Sequence, residues 1–199
     1  MTQPRKSELT RQTILTTGRR LVIQGGFGAM GLSALLKESG VPKGSFYYYF
    51  PSKEAFGQAL LEDYVGDYLA RIDALLAGTG TGADKFGAFC AAWLTHEQQP
   101  GLANTCLVVK LGAEVADLSD AMRQVLDQGV KALTGKLAQM LREGVADGSL
   151  SPQTAPEDTA QAIYAQLLGA AILAKLSQDQ TPLETVLTDI NTRLLPGAE

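Results

Sequence analysis

The segment Gly31–Phe56 carries the pattern that most constrains the fold of this chain. Within Leu32–Ser39, leucines recur at the i, i+3, i+4 spacing of a short amphipathic helix, and Gly40 follows where such a helix would end. Pro42 suits the first turn of a second helix, because an N–H at that position would have no helical partner in any case. Two short helices around a tight turn predict a helix-turn-helix, a motif whose second helix enters the DNA major groove.

The leading turn of the second helix would carry the contacts with DNA. Lys43 is able to pair with a phosphate or a guanine, Ser45 to donate a hydrogen bond, and Gly44 to let the backbone approach the duplex closely. The same spacing also fits a small αα-hairpin with an aromatic core, because Phe46–Phe50 supplies five aromatic rings. From spacing alone, both interpretations stay open.

The segment Gly40–Glu54, GVPKGSFYYYFPSKE, resembles the DNA-binding signature of the TetR family of transcriptional regulators. The resemblance implies an all-α chain, with an N-terminal three-helix bundle that contains the helix-turn-helix and a C-terminal helical domain for regulation and dimerisation. It implies a recognition helix from about Lys43 to Tyr48. Where the family often has Thr before the first short helix, this chain has Gly31. The DNA contacts that the resemblance implies lie at Ser33, Lys43, Gly44, Ser45, Tyr47, Tyr49 and Lys53.

The charges of the chain are segregated in a way that supports DNA binding by one end. The first 53 residues hold eight basic and two acidic side chains, a net charge of +6. The remaining residues hold nine basic and nineteen acidic side chains, a net charge of −10, although the whole chain carries only −4. A basic surface attracts phosphates and releases their counterions, whereas an acidic one is repelled from the duplex. We therefore expect only the N-terminal part to contact DNA.

Periodicity predicts a helical chain in two parts. Residues 1–52 would form the helix-turn-helix domain, and residues 53–199 a helical signal-sensing and dimerisation domain. A long helix from Lys53 to about Leu76 would begin the second part, with the glycine-rich residues 78–82 as a loose linker after it. The other helices are expected at about Glu8–Gln24, Asp84–Gln98, Thr105–Glu114, Ser119–Asp147, Glu157–Ser177 and Leu183–Leu195.

The sequence offers no set of residues for catalysis, for a metal or for a cofactor. His96 is the only histidine, which argues against a histidine-based metal site or catalytic triad. The longest apolar run, Leu167–Ala174, is too short to cross a bilayer. Two cysteines, Cys90 and Cys106, are too few for a disulfide framework and fit a reducing compartment. We therefore predict a cytoplasmic protein that is not an enzyme and that uses no cofactor and no membrane.

Cys106 is the best candidate for a residue that senses a signal. A Pro-Gly pair would end the preceding helix, and Asn104 or Thr105 would cap a new one, so that Cys106 would lie in its first turn. A helix N-terminus stabilises a thiolate and raises its reactivity. A buried, inert cysteine, such as the one expected at Cys90, fits the position of Cys106 equally well.

Segments 28–33, 106–111, 113–119, 168–170 and 174–175 resemble the repressors of the TetR family that sense electrophiles or oxidants. This resemblance implies a repressor that leaves its DNA operator when a reactive electrophile or oxidant modifies Cys106. It also implies that Lys175 stabilises the thiolate or captures an oxidised sulfur. From its position alone, Lys175 is also compatible with an ordinary surface lysine whose stem covers apolar surface.

A second candidate is a TetR-type repressor that is induced by reversible binding of a small apolar ligand in the helical domain. Its pocket would lie near Phe86, Phe89, Trp93 and Tyr164.

A homodimer on a palindromic operator is expected for either candidate. One short recognition helix contacts only a few base pairs, so two half-sites are needed for specificity. The last two helices carry apolar stripes that could belong to the core or to a dimer interface, and the family resemblance favours the interface. These stripes are Ala160, Ile163, Tyr164, Leu167, Leu168, Ala171 and Ile172, and then Val186, Ile190 and Leu194.

Overall fold

The computed structural model describes residues 6–95 and 100–196, and within these ranges it contains helices, turns and loops but no strand. The all-α class predicted from the sequence is confirmed. The helices are α1 (Lys6–Gly25), α2 (Leu32–Ser39), α3 (Lys43–Tyr49), α4 (Lys53–Ala77), α5 (Gly82–Ala91), α6 (Leu102–Thr105), α7 (Leu107–Leu118), α8 (Asp120–Ala146), α9 (Pro156–Ser177) and α10 (Thr181–Leu194).

The helices pack into two compact units that differ from the linear division predicted at residue 52. The first unit comprises the chain up to Asp67 together with Lys110–Gln128. The second comprises Tyr68–Val109 and the chain from Gly129 onward. Helices α4, α7 and α8 therefore each contribute residues to both units.

The first unit is held together by an aromatic cluster and by ion pairs from α1. The ring centre of Phe46 on α3 lies 5.6 Å from that of Phe56 on α4, and both side chains are fully buried. The guanidinium of Arg19 pairs with Asp63 at 2.7 Å and with Asp67 at 3.0 Å, and so joins α1 to α4. These contacts fix α3 and α4 against α1.

The turn of the helix-turn-helix forms as its sequence predicts. Gly40 has φ 67°, a left-handed conformation that glycine adopts without steric cost, and its N–H donates to the carbonyl of Leu36. Pro42 is the residue before α3, with φ −61°, and its carbonyl accepts from the N–H of Phe46. The chain therefore reverses within three residues and starts α3 at Lys43.

In the second unit, most of the stripe that was expected to form a dimer interface belongs instead to the core of one chain. Its buried members are Ala160, Ile163, Tyr164, Leu167 and Ala171. Ile190 and Leu194 of the second stripe are also buried. The large apolar side chains that α9 leaves exposed are Ile172, Leu173 and Leu176. Because α9 is apolar around much of its circumference, its sequence does not distinguish the two faces.

Helix α9 is also long and apolar enough to cross a membrane by length and composition, which its longest apolar run did not indicate. Seven of its residues are nevertheless buried in the packed helical unit. An apolar core helix of this kind passes the same test as a membrane span.

Two helix predictions on either side of the break at residues 100–101 need correction. The helix expected over Asp84–Gln98 runs from Gly82 to Ala91, and residues 96–99, which include His96, lie outside the described ranges. The helix expected over Thr105–Glu114 is two helices, α6 and α7, because Cys106 between them has extended backbone with ψ 119°. The N–H of Cys106 still donates to Leu102 and closes α6.

We predict that Gly82→Ala destabilises the second unit. A Cβ at Gly82 would lie 2.1 Å from the backbone nitrogen of Gly144, so α5 and α8 would have to separate. We expect a loss of about 1–3 kcal/mol in the free energy of unfolding, measured by urea denaturation. Gly87→Ala in the same helix is the control, because a Cβ there meets nothing within 4 Å and should stabilise by about 0.4–1 kcal/mol. Equal effects of the two substitutions would contradict the prediction.

Candidate functional site

The start of α3 presents the residues that the sequence predicts to contact DNA. Lys43 and Gly44 are exposed and Ser45 is half-buried in the first turn of α3. On the opposite face, Phe46 and Phe50 are buried with their ring centres 5.5 Å apart. The buried rings therefore orient α3 so that its leading turn faces outward.

The tyrosines of α3 do not form a closed aromatic core, which disfavours the simple αα-hairpin. Tyr47 is 46% exposed and Tyr49 is half-buried. Tyr48 is 80% exposed, and its ring meets that of Tyr49 edge-on at 5.0 Å between centres. Tyr48 was not among the predicted contact residues, although the burial of Phe46 and Phe50 at i and i+4 would have placed positions 47 and 48 outside.

The two remaining predicted DNA contacts lie at the starts of α2 and α4. Ser33 is exposed in the first turn of α2. Lys53 begins α4 and is half-buried, since its Nζ donates to the carbonyl of Gly28 at 3.2 Å and lies 5.1 Å from the ring centre of Phe27. Lys53 thus already holds the turn between α1 and α2, and its role at a phosphate stays a prediction.

Cys106 lies between α6 and α7, not in the first turn of a helix as predicted. The helix starts earlier than expected because the N–H of Leu102 bonds to Ala92, which allows α6 to form before Cys106. The side chain of Cys106 is only 2% exposed and packs in the core of the second unit. Because α7 begins at Leu107, Cys106 directly precedes a helix N-terminus.

The phenol of Tyr68 on α4 belongs to the surroundings of Cys106. Burial raises the pKa of Tyr68, a negative charge on Cys106 raises it further, and the guanidinium of Arg71 opposes both. The Cζ atom of Arg71 lies 5.6 Å from the centre of the Tyr68 ring. Tyr68 therefore stays a neutral hydroxyl near the sulfur of Cys106 across the physiological pH range. Neither Tyr68 nor Arg71 was predicted from the sequence, since nothing in their spacing relates them to Cys106.

Lys175 lies at a cleft beside the helix that precedes Cys106. The cleft has a volume of about 680 Å³, and its walls include Lys175 together with Ala103 and Asn104 of α6. Lys175 is exposed, whereas Cys106 is buried and does not line the cleft. The structure thus brings Lys175 to the helix before Cys106 without placing the two side chains in one open site.

The four residues proposed for an apolar ligand pocket form a packed aromatic row. The ring centres of Phe86 and Phe89 are 6.3 Å apart, those of Phe89 and Trp93 6.5 Å, and those of Trp93 and Tyr164 6.0 Å. All four side chains are buried in the core of the second unit. The sequence grouped them correctly, but as they stand they fill the space that a ligand would need.

The comparisons with known proteins agree with this geometry. Residues 14–60 match the family model described as bacterial regulatory proteins, tetR family, and residues 82–190 match the tetracyclin repressor-like C-terminal domain. The HTH-type transcriptional repressor NemR of Escherichia coli K12 is 44% identical over 182 residues, which cover 91% of this chain and 92% of NemR. The transcriptional regulator AcuR of Cereibacter sphaeroides is 33% identical over 181 residues, which cover 90% of this chain and 82% of AcuR.

A solved structure extends the similarity to the fold. The crystal structure of the reduced form of Escherichia coli NemR superimposes with a TM-score of 0.86 at 43% identity. The match covers 95% of this chain and all of the NemR chain.

We predict that a maleimide labels Cys106 before Cys90. Burial raises the pKa of the Cys90 thiol to about 12, which leaves on the order of one thiolate in 10⁵ at neutral pH. Cys106 directly precedes the N-terminus of α7, and helix N-termini raise the reactivity of neighbouring thiols. Peptide mass spectrometry at increasing labelling times measures the order, with urea-unfolded protein as the control in which both thiols should react alike. Faster labelling of Cys90 in the folded protein would contradict the prediction.

Proposed function

Because the chain belongs to the TetR family of bacterial regulatory proteins, we propose that it is a homodimeric repressor that leaves a palindromic operator when an electrophile or oxidant modifies Cys106. The observation that carries the DNA-binding part is the outward-facing first turn of α3, with Lys43 and Gly44 exposed. In the sequence this turn belongs to the segment with a net charge of +6, as binding to phosphates requires. The protein would bind this operator in the cytoplasm.

The dimer would form through the exposed face of α9. Ile172, Leu173 and Leu176 are large apolar side chains left in solvent on this face, and Leu176 is 77% exposed. The exposed small residues Ala165 and Gly169 precede them, and small residues permit close approach of a partner helix. Burying this face against a second copy would remove the apolar patch from water and pair two recognition helices.

The sensing part rests on the burial of Cys106 beside a short helix. A side chain that is 2% exposed in a packed core leaves no room for an added group. When the sulfur adds to an activated carbon–carbon double bond, it bonds to the β-carbon, and the proton of the thiol ends on the α-carbon. The added volume would overpack the core and force α6 or the start of α7 to move. The similarity to NemR, a relative whose structure is described as a reduced form, supports a redox-responsive or thiol-based signal.

Lys175 would act after oxidation. A two-electron oxidant converts the thiol to a sulfenic acid, and an amine then displaces water to form a sulfur–nitrogen bond. The position of Lys175 at the cleft beside α6 supports this role. The buried state of Cys106 means that α6 would have to open before the two groups meet.

The DNA-binding proposal predicts that Lys43→Gln weakens operator binding. If Lys43 contacts a base, its loss should cost about 1–3 kcal/mol of binding free energy. If Lys43 contacts a phosphate, its loss should reduce the slope of log affinity against log salt concentration by about 1. Fluorescence anisotropy with DNA from directly upstream of the gene, at several salt concentrations, measures both. Lys131→Gln, which removes the same charge from an exposed site on α8, is the control. Affinity and salt slope equal to wild type in Lys43→Gln would refute the recognition-helix assignment.

The sensing proposal predicts that Cys106→Ser abolishes release. In the same anisotropy assay, N-ethylmaleimide should release the wild-type protein from the operator and leave Cys106→Ser bound, because serine lacks the nucleophilic sulfur. Cys90→Ser is the matched control and should respond like wild type. Release of Cys106→Ser would instead favour a reversible apolar ligand near Trp93.

A further inference from the structure

Helix α7 carries two charged side chains that contact the end of α1 and the turn after it. The carboxylate of Glu114 accepts hydrogen bonds from two backbone amides, that of Phe27 at 3.1 Å and that of Gly28 at 2.5 Å. One turn earlier on α7, Nζ of Lys110 donates to the carbonyl of Gln24 at 3.5 Å. The anion thus meets free N–H groups, and the cation meets a carbonyl at a helix C-terminus, so both pairings are electrostatically favourable.

The turn is built to admit this carboxylate. A Cβ at Gly26 would lie 3.0 Å from Oε2 of Glu114, and a Cβ at Gly28 would lie 2.9 Å from Oε1. Gly26 also has φ 87°, a conformation that other residues rarely adopt. Two glycines flanking Phe27 therefore let the carboxylate approach the backbone closely.

A further contact near the junction of α7 and α8 reaches the same part of the first unit. The hydroxyl of Ser119, which follows α7, donates to Oε1 of Glu54 at 2.6 Å. Glu54 lies in the first turn of α4, next to Lys53, which bonds to the carbonyl of Gly28. The turn is thus held from two sides, through its amides by Glu114 and through its carbonyl by Lys53.

We propose that Glu114 is a positioning residue that clamps the turn between α1 and α2 and so holds the helix-turn-helix in its DNA-binding arrangement. The turn leads directly into α2, the first helix of that motif, which starts at Leu32. Glu114 lies on the helix that begins immediately after Cys106, two turns along. A shift at the start of α7 moves the carboxylate, and the two amides lose their partner. The inference rests on the proposed function, in which Cys106 receives the signal.

The hydrogen bonds of Glu114 to the turn are also of a strength that suits a switch. Two amides bonded to one carboxylate are charge-assisted hydrogen bonds, which are stronger than neutral ones. Both are exposed or only partly buried, so water is able to replace the carboxylate when α7 moves. The clamp therefore stabilises one arrangement of the turn without making its release prohibitively costly.

Operator affinity tests the clamp directly. We expect Glu114→Ala to raise the operator Kd about tenfold in the unmodified protein, and N-ethylmaleimide to raise it less than about twofold further, because the modification acts through the contact already removed. Glu114→Gln keeps one acceptor and should lie between wild type and Glu114→Ala. Asp117→Ala, which removes the same charge from an exposed position on α7, is the control and should behave as wild type.

A second variant displaces the carboxylate without deleting it. Gly28→Ala places a Cβ against Oε1 of Glu114, and Gly28 has no positive φ that alanine would strain. It should reproduce the Glu114→Ala phenotype even if Glu114→Ala proves too unstable to assay. Thermal unfolding of each variant separates loss of fold from loss of DNA affinity.

Hydrogen exchange can show a change that a purely structural role of Glu114 would not produce. In wild-type protein, modification of Cys106 should raise amide exchange at residues 27–28 to the level seen in unmodified Glu114→Ala. Unchanged exchange at these amides after modification, or full release of Glu114→Ala and Gly28→Ala by the electrophile, would overturn the clamp. If the electrophile does not release the wild type from the operator, the proposed function is wrong, and so is the clamp. If the wild type is released but exchange at residues 27–28 is unchanged, only the clamp is refuted.

Discussion

The burial of Phe46, Phe50 and Phe56 against one another is the interaction on which the candidate DNA-binding surface depends. Their ring centres lie 5.2 to 5.6 Å apart, and each side chain is 2% exposed or less. A helix of seven residues has little stability of its own, so its orientation comes from the face it buries. Because Phe46 on α3 and Phe50 directly after α3 are both buried, the exposed face of α3 carries Lys43, Gly44 and the outer tyrosines.

Local sequence signals predicted the parts of the fold that depend on the backbone preferences of single residues. Gly40 ends α2 in the left-handed conformation, and α3 begins after Pro42, because glycine and proline act on their own backbone dihedral angles. The break at Cys106 was missed because no glycine or proline marks it; at the start of α6, the N–H of Leu102 bonds to the carbonyl of Ala92, ten residues earlier. A contact of that kind has no periodic signal in the sequence.

For the candidate site, the sequence nominated residues but did not predict their surroundings. The motif nominated Lys43 and Ser45 as DNA contacts, and the position of Cys106 made it a candidate sensor, but the burial of Cys106 was not readable from neighbouring residues. On α9, apolar residues occur on most of the circumference, so periodicity did not separate the core residue Leu167 from the exposed Leu176. Glu114 contacts residues 86 and 87 positions away, and only the fold brings such partners together.

If Cys106 is the sensing thiol, as proposed, its burial would slow its modification but couple the modification more strongly to movement of the surrounding helices. A thiol that is 2% exposed reacts only when α6 or its neighbours open, so burial reduces the rate of modification. An exposed thiol would react faster, yet its adduct would extend into solvent and displace nothing. A buried adduct cannot extend into solvent, so the helices that enclose the sulfur must move to accommodate its volume. In the proposed sensor, the enclosed position would therefore favour conversion of a small chemical change into a displacement of α7, the helix that carries Glu114.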